Sequence, residues 1–189
     1  LEELLKEMND VLAKGHEVEP SGTNYPTLFI FGLPRSGTTL TYQLLAQCLD
    51  LGYVNNLIAR FWLAPLHGIA LAQAVLGSED ETDFQSDYGK TSGAHGPHEF
   101  AYFWQHWLKV GDIEDMLVFG DPRPDLDWEG MGKVVRCMQD AFGKGMVFKT
   151  GYAANHIKKF SETFSSPLFI YVERDPADVA ASIFQARKS

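Results

Sequence analysis

Three apolar runs, each handing over to a helical stretch, predict a three-layer α/β fold in which a parallel β-sheet is flanked by helices. The runs are Thr27–Leu33, Met146–Thr150 and Leu168–Val172. None alternates polar with apolar residues, so each suits a strand covered on both faces. The chain has enough apolar material for one such core. With 189 residues, 45% hydrophobic and 22% charged, it matches an ordinary soluble domain and leaves little room for a second core. Residues 1–189 therefore read as a single domain.

The elements follow in order. Leu4, Leu5, Met8 and Leu12 recur at helical spacing over residues 1–14, acids come early, and Lys14-Gly15 supplies a stop, which predicts a helix that serves as scaffold. A turn-rich stretch from Pro20 leads into the first strand, and a helix is expected over about Thr38–Leu49. A second short strand is read over Tyr53–Ile58 and a helix over Phe61–Leu76. The uncharged stretch Phe61–Ser78 is interrupted by Pro65, His67, Gly68 and Gln73, so it reads as a buried helix rather than a membrane span. Residues 78–97 are acidic and rich in glycine, which predicts an exposed loop or lid. Helices are expected over His98–Leu108 and Trp128–Phe142. After the strand Met146–Thr150, the order helix Ala153–Phe164, strand Leu168–Val172 and helix Pro176–Lys188 completes the alternation.

The net charge of −9 argues against nucleic acid or an anionic membrane as partner, because both need a basic surface. The charge is uneven, however. Residues 1–143 hold nine basic and 21 acidic side chains, whereas residues 144–189 hold seven and four, so a locally positive pocket near the C-terminal end can take an anionic small ligand. The two cysteines, Cys48 and Cys137, both sit beside apolar residues; two buried thiols point to a reducing, cytoplasmic compartment better than to a disulfide.

Gly32-Leu-Pro-Arg-Ser-Gly37 lies between the first strand and a helix that begins Thr38-Thr39, an order that aims backbone N–H groups and a helix N-terminus at an anion. The glycine spacing is that of the nucleoside-triphosphate P-loop, but Thr38 stands where the phosphate-binding Lys should follow. Arg35, inside the loop, instead offers a planar fork for a terminal phosphate or sulfate. The plain alternative is a tight glycine turn. Leu33-Pro-Arg-Ser-Gly-Thr-Thr39 resembles the 5′-phosphosulfate loop of sulfotransferases that use 3′-phosphoadenosine 5′-phosphosulfate (PAPS). The resemblance, closest to the bacterial-type branch, implies a P-loop NTPase-like sulfotransferase fold. It also implies Pro34, Arg35, Ser36, Gly37, Thr38 and Thr39 around the donor's 5′-phosphate and sulfuryl group, with no metal.

A second motif repeats the strand-to-helix pattern. Glu173-Arg-Asp-Pro176 ends the run Leu168–Val172 and opens a helix with Pro in its first turn, which sets Arg174 at a carboxyl edge of the sheet, where α/β domains bind ligands. Ser182 follows eight residues later. In the family that this chain resembles, an Arg and a Ser at this spacing hold the 3′-phosphate of the nucleotide. The alternative for Arg174 is an ion pair with Asp175 or Asp178.

Sulfuryl transfer, by analogy with phosphoryl transfer, needs cationic groups on the moving group and a base for the acceptor's proton. Lys149 ends the strand Met146-Val-Phe-Lys149, and the resemblance gives a strand-end Lys this cationic role; otherwise it is a solvated lysine. Cytosolic members carry a catalytic His two residues on, where this chain has Gly151, so the base must come from elsewhere. Gly96-Pro-His-Glu-Phe-Ala-Tyr-Phe-Trp104 resembles a Pro-x-Glu segment of bacterial members, and implies Glu99 as base, with His98 and His95 behind it. A Glu opening a helix is also what the helix dipole favours. Asn55-Asn-Leu-Ile-Ala-Arg-Phe-Trp62 resembles the same members and implies an acceptor side lined by Arg60 or Phe61, whereas Trp62, Trp104, Trp107 and Tyr102 read as core. The acceptor expected from the resemblance is a small-molecule or glycan hydroxyl. The resemblance covers residues 26–189, and members usually continue past Ser182, so a further C-terminal region is expected. Two rivals stand beside this reading. One is a P-loop kinase or NTPase with Leu168–Glu173 as its acidic strand and Thr39 on magnesium; the other is a nucleotide-binding domain without catalysis.

Overall fold

A computed structural model describes residues 1–14, 19–77, 84–87, 89–111 and 125–187. Helix α1 (Glu2–Ala13) precedes strand β1 (Thr27–Gly32) and helix α2 (Thr38–Cys48). Strand β2 (Gly52–Tyr53), a 3₁₀ turn (Ile58–Arg60), α3 (Pro65–Leu76) and α4 (Ala101–Leu108) follow. The chain then runs through α5 (Trp128–Phe142), β3 (Met146–Lys149), α6 (Tyr152–Asn155), α7 (Ile157–Thr163), β4 (Pro167–Val172) and α8 (Pro176–Ala186).

The four strands pair in the order β2-β3-β1-β4, every pair parallel. Parallel pairing brings the carboxyl ends together: Ile30 stands opposite Lys149 and Gly32 opposite Val172. From β1 the chain leaves toward β2 on one flank, and from β3 it crosses to β4 on the other. The order thus reverses beside β1, the place where open α/β sheets bind ligands. The residues after β1, β3 and β4 share that edge.

Strand β1 is apolar throughout because both its faces are covered. Leu28 and Ile30 join Tyr42 and Ala46 of α2 in one cluster, while Phe29 and Phe31 face a larger one drawn from α3, α4, α5 and α7. Phe29 is wholly buried. Its ring lies 4.9 Å from that of Phe160 and 6.2 Å, edge to face, from that of Trp104, the offset geometry that aromatic pairs favour.

The three-layer α/β arrangement stands as expected, with several local corrections. Strand β4 is not covered on both faces. It lies on the flank of the sheet with a single neighbour, and leaves Leu168 55% and Tyr171 57% exposed. The strand expected over Tyr53–Ile58 stops at Tyr53, because Asn55 Oδ1 accepts from the backbone N–H of Leu57 and Ile58 and turns the chain. Helix α3 begins at Pro65 rather than Phe61, with Pro at its first position. The helix expected from His98 begins at Ala101, since Phe100 takes a left-handed backbone (φ 57°). The helix expected over Ala153–Phe164 is two short helices, divided at His156. Cys137 is buried, but Cys48, the last residue of α2, is exposed, against the expectation of two buried thiols. Residues 78–83 and 88 of the expected loop lie outside the described residues. Among the described residues no helix is long and apolar enough to cross a membrane.

Candidate active site

The loop after β1 owes its shape to its glycines. A Cβ on Gly32 would fall 2.4 Å from the Val172 carbonyl oxygen and 2.8 Å from Ser36 Oγ, so only glycine lets β4 and the loop close on this point. Arg35 (φ 69°) and Gly37 (φ 106°) both take left-handed backbones, and Ser36 N–H donates to the Leu33 carbonyl at 3.1 Å. Gly37 is the residue before α2, and no side chain caps that helix. Its first N–H groups have no partner within the helix. Ser36 is 7% exposed, yet its Oγ has no hydrogen-bond partner among the described residues. A buried orphan hydroxyl beside an uncapped helix calls for an anionic ligand.

This loop opens on a cavity of about 430 Å³. Pro34, Arg35, Gly37, Thr38 and Thr39 line it from the loop side, and Glu99, Lys149 and Arg174 from other elements. Lys149 is not a solvated strand-end lysine. Its side chain is 12% exposed, and Nζ donates to Thr39 Oγ1 at 2.7 Å and pairs with Glu99 Oε1. Gly89 (φ +89°) packs over the three, its Cβ position 3.5 Å from Thr39 Oγ1 and 3.7 Å from both Glu99 Oε1 and Lys149 Nζ. The segment that carries Gly89 is fixed to α2 through Gln43 Nε2, which donates to the Gln85 carbonyl at 3.0 Å.

Glu99 does not lie in the first turn of a helix, so the dipole does not explain it. It is half exposed and lies on the wall shared by the smaller cavity and a second of about 820 Å³. His98 lines only the larger one. The His98 backbone N–H donates to Val54 O at 2.8 Å, and its Nδ1 accepts from the Phe100 N–H at 2.9 Å. That bond places the proton of the neutral ring on Nε2 and uses the basic nitrogen. Burial also holds the imidazole below its usual pKa, in spite of the neighbouring Glu99. Both facts leave the His98 ring a weak proton acceptor. His95 is half-buried and lines neither cavity.

The second motif meets the first across the sheet edge. Arg35 Nε donates to Ser182 Oγ at 2.9 Å, and Arg174 Nη1 donates to the Arg35 carbonyl at 3.2 Å. Arg174 Nε also lies 3.8 Å from Asp178 Oδ2, a half-exposed pair. Asp175 is otherwise engaged: it caps α8, its Oδ1 accepting from the N–H groups of Ala177 and Asp178. Arg35 thus points at Ser182 rather than at Lys149. Arg35, Arg174 and Ser182 form one group on the β4 side, while Lys149, Thr39 and Glu99 form another on the β3 side.

The larger cavity holds residues that the sequence alone did not reveal. Leu1 and, from α1, Glu2 and Leu5 form part of its wall, so α1 is more than scaffold. The anchor is Asn9, which is fully buried: its Nδ2 donates to the Leu5 and Arg60 carbonyls, both at 2.8 Å, and its Oδ1 accepts from Leu63 N–H at 2.8 Å. Arg60 lines the cavity, whereas Phe61 does not. Trp104 is core and Trp107 packs against it. Trp62 packs against the core too and meets Tyr102 at 5.0 Å on the cavity wall; Tyr102, 48% exposed, is the one that departs from the expectation of core.

Comparison with known proteins agrees with this geometry. A family model described as "Sulfotransferase family" matches residues 26–188, from the entry to β1 to the end of α8. No curated protein and no solved structure gives a significant match. The match takes in the phosphate loop, Glu99, Lys149, Arg174 and Ser182, and leaves α1 outside it. This chain belongs to the sulfotransferase family.

Proposed function

We propose that the chain transfers the sulfuryl group of PAPS to a hydroxyl of a small molecule or glycan. One observation carries this reading: Glu99, paired with the largely covered Lys149, lies on the wall between a cavity floored by a phosphate loop and a larger one with aromatic walls. The residues fit the donor. The orphan Ser36 Oγ and the uncapped N-terminus of α2 suit its 5′-phosphate, and Arg174 with Ser182, both within reach of Arg35, would hold its 3′-phosphate.

When bound, the donor supplies a sulfuryl group whose S–O bond to the nucleotide phosphate breaks as a bond to the acceptor oxygen forms. Lys149 would supply the positive charge that the leaving phosphate needs, the part a metal ion plays in many phosphoryl transfers, and Arg35 could add to it only by leaving Ser182. Glu99 takes the acceptor's hydroxyl proton onto its carboxylate. Lys149 is held on Glu99 and Thr39. With the donor bound, Lys149 would face its phosphate from this position, beside the Glu99 carboxylate. The test is transfer from labelled PAPS to an acceptor library. Glu99→Gln should lower turnover about 10²- to 10⁴-fold, the usual contribution of a general base, without weakening 3′-phosphoadenosine 5′-phosphate. Unchanged turnover in that variant would overturn the assignment.

A further inference from the structure

We propose that the larger cavity takes a hydroxyl acceptor that carries an oxyanion of its own, held by Arg60 and Lys90 while its hydroxyl meets Glu99. This rests on the sulfotransfer reading above and narrows its acceptor.

The charge on the cavity wall is the first ground. The protein is acidic, yet Arg60 and Lys90 both line this cavity. The two carboxylates on the same wall are engaged. Tyr102 donates its hydroxyl to Glu2 Oε1 at 2.5 Å, and Lys149 pairs with Glu99. Neither Arg60 nor Lys90 has a carboxylate partner among the described residues. With Glu99 paired to Lys149, Arg60 and Lys90 outnumber Glu2 on this wall, and an Arg fork without a carboxylate partner is suited to a planar oxyanion.

The second ground is that Arg60 is positioned by buried structure. Asn55 Oδ1 starts its turn by accepting from Leu57 N–H at 3.1 Å and Ile58 N–H at 2.9 Å. The fully buried Asn9 ends it, satisfied at both ends of its amide by Arg60 O and Leu63 N–H. A buried amide is tolerated only when it is bonded in this way. Lys90 is fixed too, its backbone exchanging two 2.9 Å hydrogen bonds with Asp87. Beside these cations, Trp62 and Tyr102, tilted at 44°, offer an apolar face to the acceptor's ring. Cation, ring platform and base thus line a single cavity.

The test uses the protein saturated with 3′-phosphoadenosine 5′-phosphate and two matched pairs of probes read by ligand-observed NMR. One pair is 4-hydroxybenzoate and 4-hydroxybenzamide; the other is a methyl glucuronide and a methyl glucoside. The charged member of at least one pair should bind about tenfold or more tightly than its neutral partner, as charge-assisted bonds allow. The pair that shows this preference identifies the ring. Arg60→Gln and Lys90→Gln should each reduce the preference, and the double variant should abolish it. Equal binding within both pairs, a preference that survives the double variant, or no binding of any probe would overturn the proposal. Failure of 3′-phosphoadenosine 5′-phosphate itself to bind would instead overturn the sulfotransfer reading, so the two failures are distinguishable.

Discussion

The two cavities that meet at Glu99 are made in different ways. The smaller is built where parallel pairing brings the ends of elements together: a glycine loop after β1, an uncapped helix and the ends of two neighbouring strands. The larger is made of side chains from α1, the 3₁₀ turn, the segment around Lys90 and the start of α4, and is fastened by the single amide of Asn9. The first follows from the fold itself. The second can vary while the fold stays fixed.

This contrast can be broken by experiment. The largest effect should come at the junction. Lys149→Met removes the cation shared by Thr39 and Glu99 and should lower turnover about 10²- to 10³-fold, the scale for losing one electrostatic group at a transition state. Steady-state transfer from labelled PAPS checks it. Next, each cavity can be perturbed alone. Gly32→Ala drives a methyl into the Val172 carbonyl, so it should destabilise the fold by about 1–3 kcal/mol and weaken 3′-phosphoadenosine 5′-phosphate in calorimetry. Asn9→Leu leaves Arg60 O and Leu63 N–H without partners, with a similar loss of about 1–3 kcal/mol. It should raise the acceptor KM and spare the nucleotide. If both variants shift both ligands alike, the two cavities are not separate in their construction.

The smallest effect concerns His98. Because burial lowers its folded pKa below the ordinary 6.5, the unfolded chain takes up this proton first as the pH falls. The stability that comes from a neutral His98 is complete above that value and declines as the pH falls through it toward the lowered one. His98→Asn, which keeps an acceptor for the Phe100 N–H, should flatten the fall of the urea midpoint that sets in as the pH drops below the ordinary 6.5. Turnover per folded molecule should hardly change.

What the sequence made legible divides along the same line. The phosphate loop and the Arg174–Ser182 motif are each contiguous at a strand-to-helix junction, so residue order alone locates them. The larger cavity is not contiguous. Asn9 and its partners Arg60 and Leu63 lie more than fifty residues apart, and nothing in an N-terminal amphipathic helix announces that its one buried polar residue will hold a distant turn. Likewise, Glu99 and Lys149 are fifty residues apart in the chain. Local misreadings have local causes. Asn55 ends a strand through its side chain, and the apolar composition of β4 hides the fact that it lies on the flank of the sheet.

The smaller cavity should receive a nucleotide with a 3′-phosphate, an assignment open to calorimetry of 3′-phosphoadenosine 5′-phosphate against AMP. The former should bind much more tightly, and a chelator should not affect it. Arg174→Ala should remove about 1.5–3 kcal/mol of that advantage, the range for a hydrogen bond to a charged group, and leave AMP nearly untouched. Equal affinity for the two nucleotides, or binding lost in chelator and restored by magnesium, would contradict it.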